Sequence, residues 1–161
     1  MRRVVRFGID VGKARIGVAR SDPDGLLATP LETVTRDTEG TGHVDRIAQL
    51  VAEYSAGELY VGYPLNLRGE STPSTEDAVR VAREIAAGTG LPVRLIDERL
   101  TTVSAARQFQ AAGRSASRSR SRSVIDQAAA VILLQQALDQ ERASGKPAGR
   151  EIEVDDEDKL D

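Results

Sequence analysis

The sequence predicts an α/β protein: a five-stranded mixed sheet, with three antiparallel strands first, flanked by helices. Two observations lead there. From Val4 to Val34, β-branched and apolar runs are separated by turn signals, whereas from Val44 onward apolar residues recur at helical spacing with short strand-like runs between them. Strands joined by tight turns pair antiparallel, and strands joined through helices pair parallel, so one sheet contains both kinds. A chain of 161 residues that is 40% hydrophobic and 29% charged suits a single folded domain.

Each element follows from its own pattern. Val4 to Val11 and Ile16 to Ala19 are predicted strands joined by the Gly12-Lys13-Ala14-Arg15 loop, a spacing suited to a hairpin. Leu26 to Val34 follows the Asp22-Pro23-Asp24-Gly25 turn signal, and Pro30 within it argues for a bulge or an edge position. Val44, Ile47, Ala48, Val51 and Tyr54 mark one face of a helix that ends near Gly57. Leu59 to Tyr63 is the next strand. Ala78, Val81, Ala82, Ile85 and Ala86 mark a second helix closed by Gly88 or Gly90, and Val93 to Ile96 a strand beyond Pro92. A helix from about Thr102 to Ala112, an Arg/Ser segment, and a last helix from about Val124 to Glu141 or Arg142 complete the series. Residues 1–143 are expected to form the domain, and 144–161, which lack periodicity and end acidic, a disordered tail.

Composition excludes several chemistries. With no Cys there are no disulfides, thiolate nucleophiles or iron–sulfur clusters, and a single His, His43, disfavours zinc. Aromatics are 3% of the chain, too few for a base-stacking platform. Nothing resembles a signal peptide or a membrane span, so a cytoplasmic location and no membrane partner are expected. The net charge of −3 conceals an acidic run from Glu151 to the end; without it the body is mildly basic. Arg107 to Ser123 holds five Arg and no acid, which suits a phosphate backbone, although such a run is also compatible with a solvated loop.

Three acids carry the functional argument. Strand alternation sets Asp10 apart from Val5, Phe7, Ile9 and Val11, near the end of the first strand and between Gly8 and Gly12. A carboxylate there must be paired, hydrated or metal-bound, unless it simply occupies a turn. Asp97 and Glu98 stand where a strand ends, and alternation sends them to opposite faces, so one of them can meet Asp10. The same stretch also suits an ordinary helix start. Asp126 leads the stripe Ala129, Ala130, Leu133, Leu134 and Ala137, yet Ser123-x-x-Asp126 also fits a capping box. Converging carboxylates are hard oxygen ligands suited to Mg²⁺ or Mn²⁺, and such ions support displacement at phosphorus. Asn66 and Arg68, in the Gly62-to-Glu70 loop after a strand end, either contact phosphate or face water.

The ordered motifs Asp10-x-Gly12-x-x-x-Ile16-Gly17-Val18-Ala19, Val61-Gly62-Tyr63-Pro64-Leu65-Asn66, Asp97-Glu98-Arg99-Leu100-Thr101-Thr102 and Ile125-Asp126-x-x-Ala129-Ala130 resemble the YqgF family of RNase H-like nucleases. That family is assigned to pre-16S ribosomal RNA processing and was formerly assigned to Holliday junction resolution. The resemblance runs from about Phe7 to Leu138. It implies an RNase H-like fold, a catalytic and metal-binding set of Asp10, Glu98 and Asp126, and a basic position at Lys13. Tyr63 and the pair Leu67-Arg68 depart from the family pattern, which bears on substrate and not on the acids.

The resulting expectation is a metal-dependent endonuclease of structured RNA that matures the 5′ end of the small-subunit ribosomal RNA precursor, using Mg²⁺ or Mn²⁺. Lys13, Asn66, Arg68, Arg99, Arg114, Arg118, Arg120 and Arg122 are its expected substrate contacts. Alternatives are a resolvase of branched DNA, a nucleic-acid-binding factor without catalysis, and an ATP-dependent phosphotransferase, whose strand-one Asp and Gly-rich hairpin look similar. The last of these resembles two such domains around a nucleotide, and this chain has room for one. The protein is expected as a monomer or a homodimer.

Overall fold

The structure is a computed structural model and describes residues 2–98 and 119–152, with side chains in the last helix described from Asp126 onward. β1 (Val5–Val11), β2 (Arg15–Ser21) and β3 (Ala28–Thr35) form an antiparallel meander. α1 (Gly42–Tyr54), β4 (Ala56–Tyr63), α2 (Pro73–Thr89) and β5 (Val93–Asp97) follow, then α3 (Ser119–Ser144) and β6 (Arg150–Glu151). The sheet order is β3-β2-β1-β4-β5-β6, with β1, β4 and β5 parallel. The helix expected over 102–112 lies outside the described residues. Among those described, no helix is long and apolar enough to cross a membrane.

Side-chain alternation sorts the sheet into two cores. Phe7, Ile9, Ile16, Val18, Leu59, Val61, Val93 and Leu95 point to one face, where they pack with Ile47 and Leu50 of α1 and Val81, Ala82 and Ile85 of α2. The other face holds Ala19, Tyr60 and Ile96 against Ala130, Leu133, Leu134 and Ala137 of α3. Small residues let α3 lie close to the strands: a Cβ on Gly8 would stand 2.7 Å from Leu134 Cβ and 2.8 Å from the Ala130 carbonyl oxygen.

Terminal residues set where the helices begin and end. Ser55, in the left-handed region at φ 55°, closes α1 two residues before the expected Gly57, which lies inside β4 instead. Thr72 and Thr75 form a reciprocal capping box at the start of α2, Pro73 takes its first turn, and Gly90 at φ 71° ends it. Pro30 satisfies both expectations: β3 is an edge strand, and its register with β2 shifts between Val18 and Ala19, opposite Glu32 and Pro30.

Two expectations need correction. The sheet has six strands rather than five, because the chain after α3 folds back along the outer edge of β5 instead of leaving at Ser144. Arg94 directs this return: its Nε donates to the Ala148 carbonyl at 2.6 Å and its Nη2 to the Gly149 carbonyl at 3.0 Å, while Ile152 N–H donates to the Val93 carbonyl at 2.8 Å. Ala148 is buried as a result. Residues 153–161 of the expected tail lie outside the described residues. The second correction concerns α3, which begins at Ser119, so Asp126 sits well inside the helix rather than at its start. The capping-box reading of Ser123 and Asp126 therefore fails.

Candidate functional site

The α3 face of the two central strands is a ladder of unusual residues: Arg6, Gly8 and Asp10 on β1 beside Glu58, Tyr60 and Gly62 on β4. Its two ends differ in chemistry. At the amino end of these strands, Arg2 and Arg6 meet Glu58 and Glu141, with Arg2 Nη2 2.8 Å from both Glu58 Oε1 and Glu141 Oε1 and Arg6 Nη2 3.2 Å from Glu141 Oε2. Tyr60 OH donates to Glu58 at 2.9 Å, and burial, reinforced by Glu58, pushes its phenol above the ordinary range. This balanced network ties the last turns of α3 to the sheet.

The carboxyl end gathers acids. Asp10, 4% exposed, points to the α3 face one residue past the Ile9–Val61 pairing, which makes Gly62 its neighbour across the ladder. Glu98, 3% exposed, follows β5 with its N–H on the Tyr63 carbonyl, and alternation turns it to the same face as Ile96. Its carboxylate lies over Gly62: a Cβ on that glycine would fall on Glu98 Oε1. Asp97 points to the opposite face, as alternation requires, and is exposed. The two acids of the pair are thus separated, and Glu98 is the one beside Asp10.

Asp126 reaches the same end from above. Its carbonyl oxygen presses on Gly17, the β2 partner of Asp10, so closely that any Cβ at Gly17 would overlap it. Its carboxylate is turned toward β2, where Oδ2 accepts from Arg15 Nε at 2.9 Å. Among the described residues no three His, Cys, Asp or Glu side chains stand close enough to form a ready metal cage. The donor chemistry nevertheless fits a hard divalent ion, since Asp10 on β1 and Glu98 after β5 supply carboxylate oxygens from either side of β4, and Gly62 of β4 leaves the room between them.

The expected substrate contacts are distributed unevenly. Lys13 is exposed on the β1–β2 hairpin, beside a cleft also lined by Arg36, His43, Ser74 and Asp77. Asn66 serves its own loop: its Oδ1 accepts the N–H groups of Arg68 and Glu70, each at 2.9 Å, and its Nδ2 donates to Glu70 at 3.2 Å. Arg68 is exposed at the tip of that loop, next to Leu67 at 89% exposure. Arg99, Arg114 and Arg118 lie outside the described residues. Arg120 and Arg122 fall in the first turns of α3, where the side chains are not described. His43 is buried in α1, with Nδ1 accepting the Asp37 N–H at 3.2 Å, and takes no place among the acids.

Sequence reasoning missed two contributors, Arg15 and Gly62. Arg15 stands two residues before Gly17, so alternation alone puts it on the α3 face; what it meets there depends on a helix 111 positions away. Gly62 reads from sequence as loop freedom, while its role is to leave space for a carboxylate.

Comparison with known proteins places the chain among relatives of similar sequence and fold. Residues 4–140 match the family model described as RuvX: Holliday junction resolvase. A protein of Clavibacter michiganensis subsp. michiganensis named "Putative pre-16S rRNA nuclease" is 54% identical over 149 residues, covering 92% of this chain and 91% of its own. One of the same name from Streptomyces coelicolor is 52% identical over 155 residues, covering 96% and 91%. Among solved structures, Thermus thermophilus RuvC in complex with a Holliday junction substrate aligns with a TM-score of 0.53 at 19% identity, over 90% of this chain and 99% of that one. That likeness establishes the shared RNase H-like fold.

Proposed function

Since the chain belongs to the RuvX family, also called YqgF, we propose that it is a metal-dependent endonuclease that hydrolyses phosphodiester bonds of structured RNA in maturing the 5′ end of the 16S ribosomal RNA precursor. The observation that carries the reading is the placement of the Glu98 carboxylate over Gly62, beside Asp10, on the face covered by α3. Asp10 and Glu98, joined by Asp126, would hold Mg²⁺ or Mn²⁺. Such an ion, when bound, supplies an activated water and charge stabilisation at the phosphorus centre. The residues around it orient the acids: Gly17 fixes the height of Asp126 above β2, and the β4–β5 ladder carries Glu98 to its position.

Lys13 and Arg68, exposed near the same end of the sheet, position backbone phosphates, and Arg99, Arg114, Arg118, Arg120 and Arg122 extend that contact along the substrate. Asn66 contributes by holding the loop that presents Arg68. The relatives' shared name favours the RNA precursor, while the description of the family model keeps a four-way DNA junction as the second substrate to try.

Cleavage of both substrates, labelled and compared with Mg²⁺ or Mn²⁺ present, tests the reading. The precursor is cut by the wild-type protein and its cleavage falls at least about a hundredfold in Asp10→Asn. Cleavage of the junction alone transfers the activity to DNA. Equal cleavage by the wild type and Asp10→Asn removes Asp10 from the centre.

A further inference from the structure

Arg15 stands on β2 facing α3, and its guanidinium meets Asp126 in a pair whose side chains are 25% and 18% exposed. Close contact between the Asp126 carbonyl and Gly17 pins the helix backbone at this point, so the Asp126 carboxylate is held within reach of Arg15 by the packing itself. We propose that Arg15 is a positioning residue for divalent-ion binding, its guanidinium holding the Asp126 carboxylate in the ion-free protein and competing with the cation for it. The inference rests on reading Asp10, Glu98 and Asp126 as the ion-binding centre.

The physical argument is one of competing cations. Carboxylates that are to share an ion repel one another before it binds, and a guanidinium beside one of them offsets part of that repulsion. Its Nε approaches Oδ2 at 2.9 Å, so it occupies a lone pair that an incoming ion would use. Once a divalent ion arrives, two positive centres share one carboxylate and repel each other. Arg15 thus raises the ion concentration needed to fill the site, and it takes Asp126 back when the ion leaves. Were the pair only a clamp between hairpin and helix, losing it would loosen the site and weaken ion binding. Competition predicts the opposite sign.

Calorimetric titration of the full chain with Mn²⁺, without nucleic acid, reads the difference. Arg15→Gln binds Mn²⁺ about tenfold more tightly than the wild type, the size expected for removing one positive charge near a divalent ion in a watery site. Arg15→Lys, which keeps the charge, stays within about threefold of the wild type. Asp126→Asn binds more weakly, and adding Arg15→Gln to it changes nothing further, since the guanidinium acts through that carboxylate. Arg15→Met, retaining the apolar stem, replaces the Gln variant if circular dichroism shows poor folding. Unchanged or weaker binding in the charge-removing variants, with Asp126→Asn still impaired, overturns the inference and leaves the proposed function standing. Wild-type protein that takes up no Mn²⁺ overturns both.

Discussion

Two glycines at the site do different work, and one added methyl group separates them. At Gly62 the atom in the way is the carboxylate end of Glu98, a flexible side chain that can swing aside. Gly62→Ala therefore leaves the melting temperature nearly unchanged while displacing Glu98, and RNA cleavage falls by about tenfold or more. At Gly17 the obstacle is the backbone carbonyl of Asp126, which cannot move without lifting α3 from β2. Gly17→Ala costs about 1–3 kcal/mol, the usual range for overpacking, and appears as a lowered melting temperature in a thermal scan. Similar losses of stability in both variants would show that the Glu98 side chain is too rigidly held to swing aside. The contrast is not visible in the sequence, where Gly17 falls within a predicted strand and Gly62 reads as loop freedom.

At the level of elements, β6 shows how a stretch without periodicity still becomes part of a sheet. Gly145, Pro147 and Gly149 erase any helical or alternating pattern, so the segment reads as a tail. Its pairing comes from elsewhere: Arg94 on β5 gathers the Ala148 and Gly149 carbonyls, and the Arg150 guanidinium lies 5.5 Å from the centre of the Tyr63 ring. An edge strand exposed along its length invites pairing with another chain, and β6 covers part of β5. Ending the chain after Ser144 is expected to lower the melting temperature by about 5 °C and to increase self-association in light scattering. An unchanged melting temperature would mean that the return strand contributes no stability. The α3 helix makes the complementary point. Its apolar stripe from Ala129 to Ala137 is legible at 3.6-residue spacing and is wholly buried, yet its start at Ser119 lies in Arg/Ser sequence with no apolar period to mark it.

Across the whole molecule, charge pairs join elements distant in sequence and set how the fold responds to acid. Arg36 binds Asp77 at 2.6 Å and the Gly12 carbonyl at 3.0 Å, so it links α2 to the hairpin that follows Asp10. The Arg36 hydrogen bond holds the Asp77 carboxyl below the ordinary range, and Arg46 does the same for Glu32. Burial pushes Glu141 up, but Arg2 and Arg6 outweigh it and the net shift is downward. Carboxylates lowered in the folded state contribute stability in full above their unfolded pKa values, and that stability is lost as the pH falls through the lower folded values. The melting temperature should therefore be level near neutral pH with respect to these groups and fall below about pH 4. Asp77→Asn should start from a lower melting temperature and decline less steeply with acid. A decline as steep as that of the wild type would remove Asp77 from the set.

Much of the candidate site is legible in local sequence pattern. Alternation in β1 separates Asp10 from Phe7 and Ile9, alternation in β5 separates Asp97 from Glu98, and the α3 stripe places Asp126 above the sheet. These follow from residues a few positions apart, because periods of two and 3.6 define the sides of a strand or helix without reference to any other segment. The tertiary structure alone decided which sides meet. Glu98 lies over Gly62 because β4 and β5 pair in one register, Asp126 turns to Arg15 because Gly17 admits a helix backbone, and β6 forms because Arg94 is there to receive it. Such choices depend on contacts between distant segments, whose energies no local pattern contains.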